Sequence, residues 1–114
     1  MQHELKLQPK YFDFIKDGTK RIELRLNDAK RQQIQIGDTI VFHKLPDLQT
    51  TLTVRVVGLL HYATFADLVA DFDIDILADK GLTKADLLAD LNQFYTDYDQ
   101  NHYGVVVIRI QPLA

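Results

Sequence analysis

Tyr103-Gly104-Val105-Val106-Val107-Ile108-Arg109-Ile110 is the most restrictive stretch of this 114-residue chain. Its apolar residues are nearly continuous and strongly β-forming, the pattern of a strand buried on both sides rather than one with a wet face. Other segments have to build a sheet and its covering layers around it. Alternation predicts a first strand over His3-Glu4-Leu5-Lys6-Leu7. Pro9 suits the first turn of a helix whose apolar face is Tyr11, Phe12, Phe14 and Ile15, and Asp17-Gly18 stops it. Gly37-Asp38 turns the chain into a strand from Thr39 to His43, and the β-branched run from Thr50 to Leu60 predicts a longer one, with Gly58 placed for a bulge. Thr64 with Asp67 caps a helix presenting Phe65, Leu68, Val69 and Phe72. Thr83 with Asp86 caps another, carrying Leu87, Leu88, Leu91, Phe94, Tyr95 and Tyr98 on one apolar face. The order β-α-β-β-β-α-α-β lacks the strict alternation of a doubly wound sheet. It predicts an α+β fold, a small mixed β-barrel of about five strands with two or three peripheral helices, as one domain over residues 1–114.

Ile22, Leu24 and Leu26 alternate with Arg21, Glu23 and Arg25, which predicts a half-buried strand with one charged face turned to water or a cleft. Gly18 fits the left-handed residue that ends a helix, so Lys20 stands where the chain turns into this strand and can converge with Glu23 and Arg25. Glu23 can accept a proton or orient the lysine, Arg25 can hold a phosphate or carboxylate in its fork, and Lys20 can bind an anion or act as a base. The same residues also fit a cross-strand ion network that does no chemistry. Asn27, Asp28, Lys30 and Arg31 follow on a polar loop, where they can touch a phosphate or a base edge or be solvated loop charge. Tyr62, Tyr95, Tyr98 and Tyr103 are the tyrosines that can stack on bases, although Tyr95 and Tyr98 lie on a helical apolar face that favours core packing.

Composition narrows the chemistry. The chain has neither Cys nor Ser, which removes disulfides, thiolate metal sites and the two commonest nucleophiles. His3, His43, His61 and His102 have no metal-ligand spacing, so no metal is expected, and without a Gly-rich phosphate loop no nucleotide-hydrolysing cofactor site is expected either. No apolar run reaches the length of a membrane span and the start of the chain carries no secretory pattern, so the expectation is a cytoplasmic protein that does not enter the membrane. The net charge of -3 is unevenly distributed: residues 1–60 hold ten Lys and Arg against seven Asp and Glu, and residues 61–114 hold three against nine. A modest basic excess can attract phosphates, and the acidic second half fits an interaction module for a basic partner.

Gly18-x-Lys20-x-x-Glu23-x-Arg25 resembles the signature motif of ASCH domains, small barrels related in fold to the PUA RNA-binding domain. The surroundings agree, with a Tyr-Phe helix before the motif, the Ile36-Gly37-Asp38 turn after it, and a terminal strand like Tyr103 to Ile110. The resemblance covers nearly the whole chain. It implies a PUA-like β-barrel that binds RNA or a nucleotide in a cleft bordered by Lys20, Glu23 and Arg25. Some members of the family are hydrolases. One bacterial group removes the acetyl group of N4-acetylcytidine, and nuclease activity on RNA is attributed to another. In the amidohydrolase group a lysine stands where Lys20 stands, but a threonine nucleophile occupies the position of Glu23. A carboxylate does not replace an amine-activated alcohol, so a hydrolase built on this chain needs Glu23 as a general base on water, with Lys20 sharing the acid–base work. The third residue of that group, a glutamate before the last helix, falls near Asp79.

Overall fold

The computed structural model describes residues 1–77 and 82–113. Its five strands are β1 (Gln2–Leu7), β2 (Ile22–Leu26), β3 (Thr39–Lys44), β4 (Thr51–Tyr62) and β5 (Val105–Pro112). They form one sheet in the order β1-β3-β4-β5-β2. The described helices are α1 (Pro9–Lys16), α2 (Phe65–Ala70), α3 (Ile74–Leu77), α4 (Lys84–Phe94) and α5 (Asp97–Tyr103), with a 3-10 turn at Arg31–Gln33. The chain divides into two compact units.

The first unit holds Met1–Glu23, Ile34–Leu59 and the C-terminal residues from Ile108. Here β1 runs parallel to β3 from Gln2 opposite Thr39 to Leu7 opposite Lys44, and β3 pairs antiparallel with β4 from Thr39 opposite Arg55 to His43 opposite Thr51. Period-two burial follows the sequence: Leu5, Leu7, Ile40, Phe42, Val54 and Val56 point inward beside Phe12 and Ile15 of α1, all nearly inaccessible. Each such side chain contributes about 1.5–3 kcal/mol relative to exposure. The turn before β3 is fastened by Asp38. Its carboxylate pairs with His3 Nε2 at 2.8 Å and accepts the Gln35 N–H at 3.0 Å and the Met1 amine at 3.1 Å. The His3 bond above all, then the Gln35 N–H and the amine, hold this carboxyl down at a pKa of about 2. Strand β4 continues through Gly58 without interruption. The glycine makes room for Arg109, whose Cδ lies 3.0 Å from where a Cβ would stand.

The second unit holds Leu24–Gln33 and Leu60–Val107. Leu24 of β2, Phe65, Leu68 and Val69 of α2, Leu77 of α3, Leu87 of α4 and the Val105–Val107 run are its buried apolar residues. As the spacing predicts, Thr64 Oγ1 accepts the Asp67 N–H, and Thr83 with Asp86 forms a reciprocal capping box. The apolar run from Leu87 to Tyr98 is two helices rather than one. Tyr95 leaves helical geometry at φ -125°, ψ 117°, and Thr96 starts α5 by accepting the Asp99 N–H at 3.1 Å. Gln100, 3 % exposed, fixes the junction: its Oε1 accepts the Phe65 N–H, and its Nε2 donates to Asn92 Oδ1 and the Tyr95 carbonyl. The break also turns Phe94 and Tyr98 to solvent, 73 % and 74 % exposed, so Tyr98 is not the core residue its helical position favours.

Candidate functional site

The end of α1 sets the position of Lys20. Asp17 closes the helix by donating its N–H to the Asp13 carbonyl, and Gly18 adopts φ +86° with its N–H on the Ile15 carbonyl. This is the left-handed residue that the sequence predicts there. The Thr19 N–H caps Asp17 Oδ1 at 2.8 Å, and the Thr19 hydroxyl and N–H together hold that carboxyl below its ordinary range. The Lys20 N–H then returns to the Phe14 carbonyl at 3.0 Å, folding the chain back over α1 before β2 begins.

Lys20 and Glu23 lie together in the first unit. They are 8 % and 6 % exposed, and Nζ stands 3.9 Å from Oε1. The ammonium also sits over the Tyr11 ring, 4.3 Å from its centroid, a cation–π contact. Lys10 approaches the same ring at 5.9 Å. β2 is therefore not half-wet at its start: Ile22, Glu23 and Leu24 are all buried, so the alternation marks a change of chemistry between faces rather than a change of exposure. Sequence reasoning counted Tyr11 only as part of an apolar helical face. Its place about two helical turns before the Gly18 stop, on the segment that folds under Lys20, is the signal that could have found it.

Arg25, two positions beyond Glu23, is half-buried and belongs to the second unit with the loop that follows. In that loop Asp28 clamps Arg31, accepting its N–H at 3.1 Å and its Nη1 at 3.0 Å. Asn27 donates its N–H to the Gly104 carbonyl and receives Gln32 Nε2 on its own carbonyl. Asn27 Oδ1 and Arg31 Nε are shielded from solvent and lack a hydrogen-bond partner among the described residues. Lys30 is exposed. Asp79 lies outside the described residues. Among those residues no group of three or more His, Cys, Asp or Glu is placed to hold a metal ion, and no helix is long and apolar enough to cross a membrane.

The ASCH domain family model matches residues 5–114. The hypothetical protein PH0355 is 34% identical, superposes with a TM-score of 0.87, and the match covers 99% of this chain and 100% of that one. The protein PF0455 of Pyrococcus furiosus is 32% identical with a TM-score of 0.77, covering 99% and 98%. The ZmASCH protein of Zymomonas mobilis shares the fold at 8% identity, with a TM-score of 0.67 over 96% of this chain and 71% of that one. Among curated relatives, an uncharacterized 12.9 kDa protein of Escherichia phage P2 is 43% identical over 42 residues, 37% of this chain. The chain spans about a third of the length of that relative, the match covering 36% of it. The five-stranded sheet with several helices is the mixed α+β, PUA-like fold that the motif leads one to expect. With a family match over nearly its whole length and a full-length relative above 30% identity, the chain belongs to the ASCH domain family.

Proposed function

We propose that this protein binds RNA or a nucleotide, with the Lys20–Glu23 pair as the anchor. The observation that carries this reading is the ammonium beside a carboxylate at 3.9 Å, both more than nine-tenths buried and backed by an aromatic ring. A donor next to an acceptor matches the paired acceptor and donor on a nucleobase edge, and removal from bulk water strengthens such bonds. Arg25 is proposed to take a phosphate in its fork, with Asn27, Asp28, Lys30 and Arg31 supplying further backbone or base contacts. The family supports the RNA-binding class. Titration with nucleoside monophosphates and short single-stranded RNAs tests it. Lys20→Met and Arg25→Ala are expected to weaken binding by about tenfold each, and unchanged affinity in both, with folding verified by circular dichroism, overturns the assignment.

The same pair supports a hydrolytic reading, because an amine at 3.9 Å can orient a carboxylate that acts as general base on water. Turnover separates the two. Product from N4-acetylcytidine or RNA that vanishes in Glu23→Gln makes the protein a hydrolase, and binding without product leaves it a binding module.

A further inference from the structure

We propose that the helical face built by α2, α4 and α5 docks a cationic polypeptide segment, seating a Lys or Arg side chain beside Asp97. A cavity of about 280 Å³ opens there, lined by the polar side chains of Thr64, Asn92, Asp97, Gln100 and Asn101 and by the apolar Ala66 and Leu88. Its volume falls just below the range of about 300–1,000 Å³ typical of small-molecule sites, which suits one long side chain better than a nucleotide. Among the described residues, Asp97 is the charged residue of the lining, and no Lys or Arg contributes to it. Ala66 and Leu88 offer apolar surface to an aliphatic stem, while the Asp97 carboxylate and the amide oxygens of the lining receive its cationic head. Gln100 does not compete for that head, since its Oε1 and Nε2 are already engaged with Phe65, Asn92 and Tyr95.

The surface next to the cavity points to the same partner. Asp97, Gln100 and Asn101 lie on one side of α5, and Tyr98 and His102 lie a step round it, their rings stacked at 5.8 Å and 4°. His102 also meets Tyr103 edge-on at 4.5 Å, and Phe94 stands exposed at the end of α4. Exposed ring faces beside carboxylates receive guanidinium and ammonium groups. Residues 60–107 carry nine Asp against two Lys and no Arg, a field that attracts a basic polypeptide and repels a phosphate backbone. The proposed surface shares no residue with the anchor proposed for RNA.

A fluorescein-labelled hexa-arginine peptide, titrated into the full chain at low salt with anisotropy and amide chemical shifts as readouts, tests the proposal. Shifts are expected at Thr64 to Ala66, at Asn92 and along α5. Asp97→Asn and Tyr98→Ala should each weaken binding about fivefold, while Asp47→Asn, an exposed carboxylate of the first unit, changes it less than twofold. Absence of binding overturns the proposal, as does equal weakening by Asp47→Asn, which would reduce the effect to net charge. Displacement of the same resonances by an RNA oligonucleotide overturns the assignment to a polypeptide.

Discussion

Removing the ammonium of Lys20 has two separable consequences, one for ligands and one for the fold. Glu23 is 6 % exposed, so Lys20→Met leaves a carboxylate in a dry place without the cation 3.9 Å away. Such single deletions from buried pairs cost about 3 kcal/mol, whereas replacing both partners by apolar groups is close to neutral. Chemical denaturation should accordingly show a large loss in Lys20→Met and most of it regained in Lys20→Met with Glu23→Leu. Gly104 sets the other residue-scale constraint. It takes φ +73°, ψ -176°, and a Cβ there would stand 3.1 Å from the Tyr62 carbonyl oxygen. Strain of that kind is worth about 1–3 kcal/mol, and Gly104→Ala is expected to lose that much stability by the same measurement.

At the level of elements, the helix caps decide the architecture of the second unit. Thr64, Thr83 and Thr96 each accept an N–H from an Asp three residues on. Thr96→Ala should cost about 1 kcal/mol, read as a lower denaturation midpoint with the slope unchanged. The first two caps were legible in the sequence because each precedes an apolar period. The third has the same Thr-x-x-Asp spacing but lies inside the run from Leu87 to Tyr98, whose apolar residues conceal the break at Tyr95. The strands were legible from β-branched residues and alternation, and the left-handed Gly18 from its place after Phe12 and Ile15. Exposure was not: alternation in β2 located Glu23 opposite Ile22 and Leu24 but could not show that both faces are covered there. The Lys20–Glu23 approach was readable from their spacing at the start of a strand. The Tyr11 contact beneath it depends on how tightly the chain returns over α1, which no local period encodes.

For the molecule as a whole, Asp38 ties segments distant in sequence, meeting Met1 and His3 at one end of the chain and Gln35 beside its own turn. Its carboxyl is held at about 2 against an ordinary 3.8, so the folded state favours the charged form. The resulting stability is fully present above about pH 4 and is lost as pH falls toward 2. In urea titrations the gap between the wild-type protein and Asp38→Asn should narrow steadily over that window, and a gap independent of pH would refute the role. The strand order also dictates a timetable for synthesis. β2, which carries Glu23, has β5 as its neighbour in the sheet, and the Ile110 N–H reaches back to the Arg21 carbonyl at 3.0 Å. A nascent chain halted on the ribosome before Val105 thus holds its signature motif without its neighbouring strand, leaving that segment open to proteases until translation delivers β5.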